Sequence, residues 1–232
     1  MIRYLILLLS VLFNYAFAAP SATQLLKNSD KYRLPYKHAN LKISIDEYKK
    51  DSINKSVEYD VYYRSGESLV DIRSGASKGN RVLLSDKGMY VLVKRSSRPV
   101  RITPIQRLLG QASYGDLAGL QLSDDYNSEL LKEENDTIVL KLSAKNKKAT
   151  YSSINLWINK QQHYPIKAEA YLRSGKLYKK MRYIVKDNLV SDIIYTLPDV
   201  SNKKTIMQFD SIIEKKIPNR LFTSNGMRGR ID

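Results

Sequence analysis

Apolar residues recur at every second position through most of this chain. LKISIDEYKKD puts Leu41, Ile43 and Ile45 on one face, and SVEYDVYYRS does the same with Val57, Tyr59, Val61 and Tyr63. SLVDIRS, RVLLSD, GMYVLVKRS, DTIVLKLSAKN, YSSINLWINK, HYPIKAEAYLR, KLYKKMRYIVKD, LVSDIIYTL and TIMQFDSIIEKK continue the period. A period of two predicts half-buried strands. Turn chemistry separates them: Gly75–Gly79, Asn146–Lys148, Lys160–His163, Ser174-Gly175 and Asp187-Asn188. About ten or eleven strands joined by short turns make an antiparallel meander. Two stretches break the pattern. TQLLKNSDKYRL, residues 23 to 34, reads as a short amphipathic helix capped by Ser21 or Thr23 and ended by Pro35. RITPIQRLLGQASYGDLAGLQLSDDY, residues 101 to 126, has three glycines, a proline and a helix-like run. A long meander must close into a barrel or cover its faces, and helical pieces near 23 to 34 and 104 to 120 favour a curved sheet with a helical lid. An apolar face under a lid is a natural place for a greasy ligand.

The first residues stand apart from this pattern. MIRYLILLLSVLFNYAFAAPSA has one basic residue, an apolar run from Tyr4 to Phe13, and small residues at Ala16 and Ala18. That is the arrangement of a secretory signal peptide with cleavage between Ala18 and Ala19. The alternative is a membrane anchor, but the run is shorter than the roughly 20 residues of a comfortable span. The expected organisation is therefore a signal peptide over residues 1–18 and a single domain over residues 19–232. Residues 224 to 232, SNGMRGRID, read as a mobile tail. The chain has no cysteine, which excludes disulfides and lipidation at a cleavage-site cysteine and fits a soluble protein of the periplasm.

Composition adds a sign preference. The formal charge is +16, which favours anionic partners. Export argues against nucleic acid and leaves an anionic membrane surface as a candidate. The lysines are scattered along the chain, so a generally basic surface is the plainer reading. Tyrosine is used 17 times, as suits half-buried strand positions with a wet hydroxyl.

Catalytic constellations are missing. His38 and His163 are the only histidines, and without cysteine they make no zinc set. Gly110-Gln-Ala-Ser113-Tyr-Gly115 is one residue too long for a nucleophile elbow. Asp124-Asp125 and Glu133-Glu134 are adjacent carboxylates read as exposed turns; in a strand, neighbours face opposite sides and do not form a catalytic pair. No glycine loop precedes a helix in the manner of a phosphate cradle. The expectation is a protein that is not an enzyme and carries neither metal nor cofactor.

The run from Lys87 to Tyr126 resembles the signature of the LolA-like outer-membrane lipoprotein-sorting protein family. The matching residues are Met89-Tyr90-Val91, Arg98-Pro-Val-Arg101-Ile, Pro104-Ile-Gln106-Arg107, Gly110, Ser113-Tyr114-Gly-Asp116-Leu117 and Asp125-Tyr126. Asn155-Leu-Trp157-Ile, Tyr164-Pro165-Ile-Lys167, Ser174-Gly-Lys-Leu-Tyr-Lys179 and Leu221-Phe222-Thr223 extend the similarity over nearly the whole mature chain. The similarity is closer to the broad, poorly characterised branch than to the dedicated lipoprotein carrier. It implies an unclosed antiparallel β-barrel whose mouth is covered by short helices and whose cavity accepts acyl chains.

On that footing the 101–126 segment is expected to be a lid. Pro104 starts a helical turn, with Ile105, Leu108 and Leu109 as its apolar edge. Ser113 or Asp116 caps the next piece. Leu117, Leu120 and Leu122 face inward, while Arg101, Arg107 and Asp116 pin the lid or meet a head group. A permanent plug is the alternative to a gate. Met89, Val91 and Tyr114 join the lipid-contact candidates, and Gly110, Ser113, Asp116 and Tyr126 are structural. Trp157 is expected either under a lid helix or at the cavity entrance. Tyr90, Tyr171, Tyr183 and Tyr195 are core or interface aromatics first and ligand contacts second. The function expected is a periplasmic carrier of a lipoprotein or lipid, with an inner-membrane transport complex and an outer-membrane acceptor as partners. The alternative is an envelope-stress sensor with a lipid-responsive site.

Overall fold

A computed structural model describes residues 20–229; the signal-peptide reading of residues 1–18 lies outside them. Fifteen strands and three α-helices are present among the described residues. The strands are β1 (His38–Lys49), β2 (Ser52–Arg64), β3 (Glu67–Ile72), β4 (Arg81–Ser85), β5 (Gly88–Leu92), β6 (Val100–Ile102), β7 (Arg107–Leu109), β8 (Ala112–Ser113), β9 (Tyr126–Glu134), β10 (Thr137–Ala144), β11 (Ser153–Asn159), β12 (Pro165–Tyr171), β13 (Leu177–Lys186), β14 (Leu189–Leu197) and β15 (Val200–Glu214). The helices are α1 (Ala22–Arg33), α2 (Tyr114–Ala118) and α3 (Leu122–Asp125).

Thirteen strands form one antiparallel sheet in the order β6-β5-β4-β3-β2-β1-β15-β14-β13-β12-β11-β10-β9. Two meanders, β1 to β6 and β9 to β15, are thus zipped together by the long β1–β15 pair. Strands β6 and β9 remain unpaired with each other at the two ends, so the barrel is unclosed. Register shifts recur at Lys42/Ile43, Val139/Leu140, Trp157/Ile158 and Ile184/Val185. Such bulges bend a strand and raise its twist, which curls a sheet this wide.

The inward face carries the period-two apolar residues. Leu41, Ile43, Ile45, Val61, Leu140, Ile154, Leu156 and Ile158 are all buried in one core. Helix α1 lies on that face. Ser21 Oγ accepts from Gln24 N–H at 3.2 Å, and Leu34 is extended before Pro35, as a residue preceding proline must be. The buried positions of α1 are Leu25, Leu26, Ser29, Asp30 and Arg33, so its inward stripe turns from apolar to polar toward its C-terminal end.

Three expectations change. The main sheet has more strands than the period-two count because β6 and β9 are edge strands. In β9 only Tyr126 is buried, so YNSELLKEE shows no alternation, and Glu133-Glu134 belong to that strand and not to a turn. Residues 104 to 109 are not helical. Pro104 sits in a turn closed by Gln106 N–H donating to Thr103 O at 3.0 Å, and Leu108 and Leu109 lie on β7, paired with β8 around Gly110. Their helical spacing is a coincidence of a turn followed by a hairpin. Finally, residues 224–229 are not a loose tail. Met227 packs with Leu69, Leu83, Leu92, Ile217, Leu221 and Phe222 in a second core on the outer face, and Arg81 Nη1 donates to Met227 O at 3.0 Å.

Gly110 shows how tightly the hairpin is seated. Its φ is +54°, and an added Cβ would strike the Thr205 side chain and stand 3.2 Å from Glu47 Cβ. Gly110→Ala is expected to destabilise the protein by about 1–3 kcal/mol through overpacking, with the left-handed backbone adding to it. Thermal unfolding checks this; an unchanged midpoint would mean that the hairpin lifts off freely.

Candidate functional site: the lidded concave face

The chain from the end of β6 to the start of β9 joins one open edge of the sheet to the other. To do so it crosses the concave face, which is why a lid forms here. The segment contains the β7–β8 hairpin, α2 and α3. Leu117, Ala118 and Leu120 are buried in the main core, and Ile105, Leu108, Leu109, Tyr114 and Leu122 pack partly buried against it.

Polar latches fix the lid. Ser113 caps α2, donating from Oγ and N–H to Asp116 Oδ2, each at 2.8 Å. Asp116 N–H donates back to Ser113 Oγ at 3.3 Å, a capping box. The Asp116 carboxylate also receives Lys179 Nζ of β13 at 2.5 Å and the Tyr151 hydroxyl at 2.6 Å. Burial works against the Asp116 charge, but Lys179, Tyr151 and the Ser113 N–H together hold its carboxyl below the usual range. Burial lowers the Lys179 ammonium, opposed by Asp116. On the α1 side, Asp30 accepts Leu122 N–H at 2.9 Å and Ser123 N–H at 2.7 Å. Burial raises the Asp30 carboxyl, with Arg33 and these N–H groups opposing. Tyr63 OH and Gln121 link the lid to β2 at 3.0 Å, and Ser68 Oγ donates to Ala118 O at 2.6 Å.

The closed interior is nearly filled. A cavity of about 20 Å³ lies under Gly115 and Gly119, walled by Arg33, Asp116, Tyr151, Tyr183 and Tyr195 among others. That is room for about one water molecule. A larger open cleft of about 1010 Å³ lies outside the lid, between Thr103–Ile105 and the ends of β10 to β12, with Lys141, Lys147 and Arg173 on its wall.

The sequence candidates divide by position. Met89, Leu117 and Leu120 are fully inside, and Val91, Ile105, Leu108, Leu109 and Tyr114 are at the inner boundary. Gly110, Ser113, Asp116 and Tyr126 are buried; the Tyr126 hydroxyl accepts Tyr151 N–H at 3.0 Å. Arg101 and Arg107 are exposed, so the pinning falls to Asp116 with Lys179. Trp157 is neither under a helix nor at the cavity. It alternates with the buried Leu156 and Ile158, so it faces outward, where Lys167 Nζ stands 4.6 Å from its ring centre. Arg33, Asp30 and Tyr151 are not among the sequence candidates, and Lys179 figures there only as the last residue of a matching run. A signal existed: Lys179 shares the inward period of Met181 and Tyr183, and Arg33 continues the buried stripe of α1. Among the described residues no helix is long and apolar enough to cross a membrane.

The comparisons agree with this architecture. A family model with the description "Uncharacterized protein" matches residues 65–229. No curated protein matches the chain. Among solved structures, a LolA superfamily protein from Nitrosomonas europaea is 28% identical, with a TM-score of 0.81, over 90% of this chain and 100% of that one. A DUF1329 family protein from Desulfovibrio piger shares the fold at 18% identity and a TM-score of 0.70, over 89% of this chain and 97% of that one. An outer membrane lipoprotein-sorting protein domain from Vibrio parahaemolyticus does so at 15% identity and 0.68, over 88% and 98%. The family model covers most of the chain and the fold is the one the motif run implies, so this chain belongs to that family of uncharacterized proteins and is LolA-like in architecture.

Proposed function

We propose that this protein is a non-enzymatic carrier that shelters the acyl chains of a lipoprotein or lipid in the periplasm. The observation that supports it most is the lid itself. An apolar concave face is covered by a segment strung between two open sheet edges. That segment is held by a few identifiable polar latches and not by strand pairing to the main sheet. The likeness to a LolA superfamily protein supports the same reading.

With about 20 Å³ free in the closed form, an acyl chain enters only if the lid side chains withdraw. The ligand then replaces the lid's own leucines against the sheet. Burying ten methylenes at about 0.8 kcal/mol each offers about 8 kcal/mol, before the costs of association and of displacing the lid. The cleft beside Thr103–Ile105 is the entry route, and its basic wall and the chain's excess positive charge favour an anionic membrane surface as the docking ground. An inner-membrane complex that loads the carrier and an outer-membrane acceptor that empties it are the partners this cycle needs. Each must bias the equilibrium between closed and open lid.

A fluorescent fatty-acid titration tests the proposal. The parent protein is expected to bind and enhance the probe saturably. Leu109→Arg, which puts a charge at the half-buried inner edge of the lid, is expected to weaken binding at least tenfold while remaining folded. Equal, non-saturable binding by both proteins would contradict the reading.

A further inference from the structure

The cavity under the lid is lined by several donors that lack strong acceptors. Arg33 is 5% exposed, and its Nε and Nη1 are buried without a hydrogen-bond partner among the described residues. Its nearest acidic neighbour on α1, Asp30, spends its two oxygens on the lid N–H groups of Leu122 and Ser123. Two further donors face the same cavity. Among the described residues the Tyr183 hydroxyl donates only to Met181 Sδ at 3.9 Å, and the Tyr195 hydroxyl only to Met207 Sδ at 3.7 Å. Thioether sulfur is a weak acceptor. Of the two carboxylates on the cavity wall, Asp116 is already engaged by Lys179, Tyr151 and Ser113. Asp125 also lines the cavity; burial and then Asp124 raise its carboxyl, with Lys145 and Lys148 opposing.

A buried guanidinium with unmet donors destabilises a fold unless something else uses it. The position at the C-terminal turn of α1 gives a favourable helix-dipole contact, but that leaves the two nitrogens unbonded. We propose that Arg33, with the Tyr183 and Tyr195 hydroxyls, is the recognition point for an acidic head group on the acylated ligand, an oxyanion of a carboxylate or phosphate. This rests on the carrier reading and sharpens it. The chains lie along the apolar sheet, and the charged end stops at α1, beneath the place where Gly115 and Gly119 roof the cavity. Arginine suits this role because its planar fork pairs with two oxygens at once.

The test compares four probes on purified protein by native mass spectrometry and by displacement of a neutral acyl fluorophore: oleate, its methyl ester, lysophosphatidate and its uncharged monoacylglycerol counterpart. The parent is expected to prefer an acidic probe over its neutral counterpart by about tenfold or more, as a hydrogen-bonded charge gives. The stronger acidic probe identifies carboxylate or phosphate as the source. Arg33→Met and Arg33→Gln are expected to bind the neutral probes as the parent does and to lose the preference. At least one of the two variants is expected to unfold at or above the parent's midpoint. A parent without preference, or variants that keep it, would overturn the head-group site and leave the carrier reading standing. A parent that binds none of the four would end both. If both variants unfold well below the parent, Arg33 is a structural residue and the proposal fails.

Discussion

Replacing Lys179 by methionine is expected to lower the unfolding free energy by about 3–5 kcal/mol, the effect of orphaning one member of a buried ion pair. For a chain of this size that corresponds to a fall in Tm of roughly 6–20 °C. Lys179 is 1% exposed. Its ammonium touches Asp116 Oδ2 at 2.5 Å and Tyr151 OH at 2.8 Å, and it stands 5.0 Å from the ring centre of Tyr195. Take the ammonium away and the Asp116 carboxylate remains in the interior with only neutral donors. The same logic predicts recovery. Lys179→Met combined with Asp116→Asn removes both charges and leaves an acceptor for the Ser113 N–H, so the double variant is expected to be more stable than Lys179→Met alone. A double-mutant cycle measures the coupling. If the single variant is as stable as the parent, Asp116 is neutral in the fold and the latch is not ionic.

The pair also has a pH signature. The Asp116 carboxyl is depressed in the folded protein, so the unfolded chain binds its proton more readily. The stability it contributes is therefore complete above the ordinary carboxyl value near 3.9 and is lost as pH falls through the depressed folded value. Asp30 has the opposite sign: its raised carboxyl contributes stability below the ordinary value and loses it as pH rises through the raised one. The two separate cleanly in a difference measurement. The advantage of the parent over Asp116→Asn is expected to be flat from pH 5 to neutrality and to vanish on acidification below about 3.9.

Asp30→Ala is expected to act on the lid and spare the sheet. It leaves the Leu122 and Ser123 N–H groups without their acceptor, and a buried donor left unsatisfied costs about 1–3 kcal/mol. Two of them lower the free energy of lid release by about 2–6 kcal/mol, a rise of roughly 30- to 20,000-fold in the exchange-competent population. Deuterium uptake at Leu120–Tyr126 should rise accordingly, while Leu41, Ile43 and Ile45 in the central β1 stay protected. Association of an acyl probe should quicken in the same variant. Uniform deprotection across the chain would instead make the segment an integral plug, whose release is global unfolding.

The sheet was legible because its central strands bury one face and expose the other. Leu41, Ile43 and Ile45 or Ile154, Leu156 and Ile158 announce it by spacing alone. What escaped obeys a different physics. β9 is an edge strand with one buried residue, so no periodicity marks it. The Pro104–Leu109 run has helical spacing, but Pro104 and the left-handed Gly110 make it a turn and a hairpin. Trp157 is expected under a lid helix or at the cavity entrance, yet strand parity puts it with Asn155 and Asn159 on the outward face. Of the site, Ser113 with Asp116 was visible as a local cap. Its long-range partners, Lys179 and Tyr151, and the unpaired Arg33 are set by which strands and helices meet across the concave face, and local pattern does not encode that meeting. A charged residue at an inward position, as at Lys179 and Arg33, is the trace such sites leave in sequence.

The carrier reading is tested most directly by mass spectrometry of organic extracts from the protein purified without detergent from the cells that make it, with Leu109→Arg prepared alongside. A stoichiometric acylated molecule that leaves with the parent and is missing from the variant is the predicted result. Parent extracts empty of any acylated species, from protein that also fails to take up added lipid, would contradict it and make the concave face an ordinary core.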